Sequence, residues 1–438
     1  MSLRRFVQAL GYVAATAASQ SLSAQRLATS AASGDSRYLF VWAGDRARRT
    51  GDLIAVVDVD PSSPTYATVV ATLPVGVVGT VPHHTEHEMP EGGELWANGF
   101  AAGRVFRLDL RNPTAPRLTG EIADAKPYAY PHSFARLANG HVLATYQYQL
   151  KDTASTAPAV MHEHGGDAPP TSVPPPAPHG TTGGLAEFDA TGHLLRVASA
   201  RTESDSAVRP YSLTVLPAID RVVTTSNDMF AAVKSRTVQV WRLSDLRLMA
   251  SIALPAGTRG DEQWNSAESR VLEDGRTAIV STSECGLYRL TGLEGDSPSA
   301  QWVYSGTYDP SIRFGGCALT VVAGQFLLQA NASARAIVSF DVSDPARPRE
   351  VSRLFIGDNS LPHWISLEPS GHRVVITGNG DLRGRVMLAR FSQQTGSLAL
   401  DSAFRSPGST RPGIDLSVLR RPGGDTVLAV PHGAVFSR

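Results

Sequence analysis

The sequence predicts an all-β chain folded as a seven-bladed β-propeller whose ring is closed by its N- and C-terminal segments. Three observations predict it: a hairpin pattern that recurs seven times, a second recurring unit about 50 residues apart, and incomplete sets of strands at the two ends. The hairpin pattern is an apolar strand of period two running into Asp, Pro or Gly turn chemistry. Its copies are Ala55 to Pro61, Phe106 to Pro113, Leu185 to Asp189, Val240 to Asp245, Leu287 to Leu290, Val338 to Pro345 and Met387 to Phe391.

The second unit starts an innermost strand and runs into a Gly-containing turn. Clear copies begin at Pro131-His132, Pro210-Tyr211 and Pro362-His363, and looser ones near His84, Ser266, Cys317 and Gly413. At the ends, residues 51–74 form a hairpin without a preceding pair, and the strands near Ile414 to Leu419 and Thr426 to Val430 lack a following one. Together they complete one blade and remove an exposed sheet edge. Pro131 to Pro210 is 79 residues, and the surplus, residues 151–182, is a Pro/Gly/Ala/Thr/His-rich insertion carrying His162, His164 and His179.

Before the first strand, Arg4-Arg5, the small apolar run Phe6 to Ala18 and Ser23-Ala24-Gln25 have the shape of a secretory signal, too short for a membrane span. Residues 1–24 are therefore expected to be a signal peptide, 25–36 a flexible linker and 37–438 the propeller, in a periplasmic or secreted protein. Forty basic and forty acidic residues balance, so nothing favours nucleic acid or an anionic membrane as partner. The two cysteines, Cys285 and Cys317, exclude a disulfide scaffold and a cysteine-based zinc site; they fall in neighbouring repeats, where pairing and two buried thiols are both open.

The chemistry concentrates in Val81-Pro82-His83-His84-Thr85-Glu86-His87-Glu88, three imidazoles and two carboxylates in six residues. The repeat register places His132 and His363 at the mouth of the central channel, with this cluster starting the equivalent strand of another blade. Several blades presenting His at one point predict a metal site. Neutral imidazoles without thiolates suit copper, iron, zinc or nickel, and an open channel position suits catalysis. Strand alternation puts His83 and His87 on one face and His84, Glu86 and Glu88 on the other. Counting back from the Gly turns favours His84 as the matched ligand, then His83 or His87. Tyr211 and Glu268 hold corresponding places in other blades and are the candidate catalytic groups, Glu268 also as an orienting carboxylate.

The run Val57-Asp58-Val59-Asp60-Pro61-Ser62-Ser63-Pro64-Thr65-Tyr66, the pair His83-His84, then Pro131-His132-Ser133 and Leu361-Pro362-His363 resemble the selenium-binding protein family, which includes methanethiol oxidase. The resemblance implies copper at His84, His132 and His363. It also implies oxidation of a small thiol by oxygen; for methanethiol, with water, the products are formaldehyde, hydrogen sulfide and hydrogen peroxide. The chain departs from the family at Thr85-Glu86-His87, where Ser-Gly-Trp is usual, and no cysteine lies within 190 residues of that motif. Histidine-bound iron also occurs on seven-bladed propellers, so iron and zinc stand as alternative metals. A non-enzymatic propeller binding a metal or a protein partner through its top face is the competing function; it calls for a broad apolar face, whereas an oxidase calls for a narrow pocket over the histidines.

Overall fold

The structure, a computed structural model, describes residues 35–150 and 180–438 apart from 124, 204, 206, 207, 231, 232, 313–315, 422 and 423. The expected signal peptide and most of the insertion, with His162, His164 and His179, lie outside the described residues.

Asp at the end of a strand accepts backbone N–H groups of the turn that follows, as Asp58 does from Asp60 at 3.0 Å and Asp341 does from Ser343 at 3.0 Å. Each apolar run thereby ends in a tight reversal, and the result is seven four-stranded antiparallel blades. The innermost strands are Pro82–Thr85, Tyr128–Arg136, Pro210–Leu216, Ser266–Val271, Cys317–Ala323, Ser360–Leu367 and Ala429–Phe436. Each touches the next around the axis. Outer strands alternate exposed and half-buried residues, as in Arg117–Ile122 and Leu194–Ser199, whereas the third strands are mostly buried between neighbouring blades, Leu53–Asp58 along its whole length. Trp42, Trp96, Trp241 and Trp364 are wholly buried. At 150–250 Å² apiece each contributes roughly 4 to 6 kcal/mol of apolar burial.

The ring closes through both ends of the chain, but with one strand from the C-terminal side and three from the N-terminal side. Ala429–Phe436 pairs with Tyr38–Asp45, which pairs with Leu53–Asp58 and then Val69–Pro74. Gly413 therefore does not begin an innermost strand: Ile414–Asp415 adds to the edge of Arg385–Phe391, and Leu419–Arg420 with Thr426–Val427 forms a separate ribbon. Spacing alone misplaced the register because these short pieces are inserted between the seventh blade and the strand that closes the first.

Closure is locked by a buried pair. Arg373 donates from Nε to Glu368 Oε2 at 2.9 Å and also binds the carbonyls of Val59 and Ser36, while the Ser36 N–H donates to Glu368 Oε1 at 2.6 Å. The Arg373 guanidinium also lies 5.7 Å from the Phe436 ring centroid. Cys285 and Cys317 form a disulfide joining the fifth and sixth blades.

Candidate metal centre

Four innermost strands carry Pro-His near their start: Pro82-His83, Pro131-His132, Pro362-His363 and Pro431-His432. Pro82 pairs with Gly99, Pro131 with Tyr146 and Pro362 with Gly378, and each ladder then slips by a bulge. The bulge re-aims the residue after the proline. The matched position in the second blade is thus His83, where counting from Gly93 gives His84. The bulge also defeats the expected alternation, since His83 and His84 do not point to opposite faces: their rings stack with centroids 4.4 Å apart. Val81 and Tyr130, each just before a Pro-His, sit at φ 55° and 64°. A left-handed β-branched residue such as Val81 costs of order 1–3 kcal/mol, strain held where two imidazoles are aimed.

His83, His84 and His132 are fully buried, and each offers a nitrogen within 4.8 Å of the others'. His83 Nε2 and His132 Nε2 face each other at 2.9 Å. Two nitrogens sharing one ion stand roughly 3–3.5 Å apart, so a small adjustment fits them to a metal. His132 Nδ1 lies 2.8 Å from the carbonyl oxygen of Tyr211, which only accepts; the proton is therefore on Nδ1 and the lone pair on Nε2. His84 Nδ1 is 2.9 Å from Ser133 Oγ, and its Nε2 is buried with no hydrogen-bond partner among the described residues. Burial, reinforced by His132, His432, His87 and His363, pushes the His84 pKa well below its ordinary value and keeps the ring neutral, the form that ligates. This donor set fits a metal ion.

His363 and His432 pack beside this group. The His432 ring is 4.2 Å from His83 and 4.9 Å from His363, and His363 is 6.2 Å from His83. His432 escaped the sequence reading, although Pro431-His432 repeats the dipeptide that marks the others. Gly433 lets its strand in: a Cβ there would lie 3.1 Å from the His83 carbonyl and the Thr85 N–H.

His87 stands apart. Its ring stacks on Trp364 at 5.0 Å and meets the Arg270 guanidinium at 3.1 Å. Burial, and then Arg270, hold its pKa well below the usual value. Glu86 is a structural bolt, bound by Arg136 through 2.8 and 2.9 Å contacts and by the Trp96 N–H, and Glu88 is exposed. Tyr211 lies against His132, ring centroids 3.8 Å apart, and burial with nearby Glu268 pushes its pKa up. Glu268, one blade further, accepts from Ser212 Oγ at 2.7 Å and Arg270 Nη1 at 2.8 Å; burial raises its pKa despite the guanidinium. It thus reaches His87 through Arg270 rather than the three-histidine group directly.

One positioning residue had no signal in the sequence. Asn98, fully buried, accepts from the His84 N–H at 2.6 Å and donates to the Pro131 and His132 carbonyls at 2.8 and 2.9 Å. It ties two histidine-bearing strands together. Asn98→Leu is expected to lower stability by about 1–3 kcal/mol and to weaken metal binding roughly tenfold to a hundredfold. Urea unfolding and metal titration read the two effects separately.

No family model matches the chain. Selenium-binding protein 1 of Arabidopsis thaliana is 36% identical over 109 residues, 22% of each chain, and methanethiol oxidase of Hyphomicrobium sp. is 34% identical over 118 residues, 25% of this chain and 26% of that protein. The chain thus matches only about a quarter or less of these relatives' own length. Among solved structures, a hypothetical selenium-binding protein from Sulfolobus tokodaii superposes with a TM-score of 0.68 at 14% identity, covering 93% of this chain and 94% of that one. The periplasmic gluconolactonase of Pseudomonas aeruginosa gives 0.58 at 14%, over 92% and 99%. At such identities the likeness is one of fold. The chain is therefore similar in sequence, over a quarter of its length or less, to selenium-binding proteins and methanethiol oxidase, and it carries the seven-bladed fold of a selenium-binding protein across nearly all of it.

Proposed function

We infer that the protein is a histidine-ligated metal oxidase, with copper as the metal and a small thiol and oxygen as substrates. The observation that carries this reading is the buried group of His83, His84 and His132, backed by His363 and His432 at the end of the channel. The similarity to methanethiol oxidase supports the reaction class. A copper ion at these nitrogens would supply one-electron redox chemistry and a site for oxygen.

The chain's own part is to fix tautomers, exclude water and manage protons. The Tyr211 carbonyl holds the His132 proton on Nδ1, Ser133 Oγ does similar work between His84 and His132, and Phe100 packs 6.1 Å from His83 as an apolar wall. Glu268, whose burial favours the protonated acid, is placed to hold a proton on Oε1, which has no hydrogen-bond partner among the described residues. The opening to the histidines is a small pocket, and among the described residues the exposed large hydrophobics are Val78, Phe355, Val418 and the strand pair Leu195 and Val197, with none of them lining it. Both features support an enzyme over the scaffold alternative. The disulfide supports export to an oxidising compartment, periplasmic or extracellular.

Metal analysis of protein purified without a histidine tag tests the first half: near-stoichiometric copper is expected, and absence of copper, iron and zinc overturns it. Copper-loaded protein given methanethiol should release peroxide and sulfide, and a loaded but silent protein moves the substrate elsewhere.

A further inference from the structure

The pocket that leads to the histidines lies against two segments of the same make. Val81-Pro82-His83 and Val430-Pro431-His432 both line it, each giving a valine, then a proline, then an imidazole, of which His432 is half-exposed and His83 wholly buried. They belong to neighbouring innermost strands, Pro82–Thr85 with the residue before it and Ala429–Phe436, which lie against each other. Tyr130 and Leu361 hold the same place before the other two Pro-His pairs, and neither lines this pocket. Both valines are half-buried, so part of each faces open space.

The wall around them is already at contact distance. Gly44 pairs with Val430 in the closing blade, and a Cβ there would stand 3.1 Å from Pro82 Cδ. The Thr377 hydroxyl, also in the lining, donates to the His432 carbonyl and fixes another side. The cavity of about 70 Å³ has room for roughly five water-sized positions, which limits a ligand to a few non-hydrogen atoms. Val81 adds an independent observation. Its backbone sits at φ 55°, a conformation that glycine takes freely and that strains a β-branched residue. A valine kept where glycine would be relaxed implies a task for its side chain.

We propose that Val81 and Val430 are the size filter of this pocket, passing short unbranched molecules to the histidines and turning branched and aromatic ones away. This rests on the histidine group being the reacting centre, and it names the residues that set the upper size of the substrate. A close-fitting apolar wall discriminates by volume, about tenfold or more for a single methylene.

Metal-free, full-length protein gives the first readout. Diethyl pyrocarbonate acylates imidazole and is larger than the cavity, so His83 and His363 should stay unmodified in peptide mass maps while the exposed His193 reacts. Val81→Gly and Val430→Ala should each raise modification of His363 severalfold and leave that of His193 unchanged. Val81→Gly should also keep the thermal midpoint of the native protein, because relief of the left-handed backbone offsets the lost side-chain contacts. Protein loaded with cuprous ion gives the second readout, in the infrared stretch of bound isocyanide: methyl isocyanide should bind, tert-butyl isocyanide should not, and both substitutions should admit the larger ligand. Modification of His83 and His363 in the native protein, or protection untouched by both substitutions, overturns the proposal. A protein that takes up no metal yet loses protection on substitution keeps the filter and removes the oxidase reading. One that oxidises methanethiol but binds both isocyanides alike keeps the oxidase and removes the filter.

Discussion

His132→Ala will leave the protein folded but strip it of metal. The residue supplies a nitrogen whose lone pair is fixed by its neighbour, since the Tyr211 carbonyl keeps the proton on Nδ1 and turns Nε2 to His83 at 2.9 Å. Loss of an outer-shell partner alone typically costs about ten- to a hundredfold in affinity, so loss of the ligand is expected to exceed a hundredfold. The fold should survive because the hydrogen bonds binding the second blade to the third use the Pro131 and His132 backbone carbonyls through Asn98, and these remain after truncation. Metal content by elemental analysis and strand content by circular dichroism read the two halves. Stoichiometric metal in the variant would remove His132 from the site.

Arg373→Ala is expected to produce the largest loss of stability, about 3–5 kcal/mol, because it leaves the Glu368 carboxylate buried without its partner. Burial works against ionisation of Glu368, yet the bonds from Arg373 and Ser370 outweigh it and hold the carboxyl below its ordinary value of 4.5. A depressed carboxylate pKa means that the unfolded chain binds the proton more readily. The pair's contribution is therefore present above pH 4.5 and fades as the pH falls through the folded-state value. The gap between native protein and variant should accordingly be wide at pH 7 and close below pH 4.5. Denaturant midpoints across that range measure it; a gap independent of pH would assign the loss to packing around Phe436 instead.

The blades were legible because strand period, Asp-capped turns and a spacing near 50 residues are properties of neighbouring residues. The meeting of His83, His84 and His132 was partly legible for the same reason, since Pro-His recurs at matched points. Other features needed the folded chain. The bulge after Pro82 turns both His83 and His84 inward, and no alternation rule anticipates an extra residue in the ladder. His432 was lost because the pieces at Ile414–Asp415 and Leu419–Val427 intervene before the closing strand and shift its spacing. Asn98 works through backbone atoms of another blade.

That the strand Ala429–Phe436 closes the ring also orders events during synthesis. The five-histidine cluster draws on positions 83 and 432, so a nascent chain that lacks residues 429–436 cannot assemble it in full, however well its earlier blades have formed. Until that strand docks, the Pro-His segments on the other blades stay open to solvent and to one another. Docking then comes at the widest possible sequence separation, a slow, late kind of contact. The full set of five neighbouring histidines therefore exists only in molecules whose translation is past that strand.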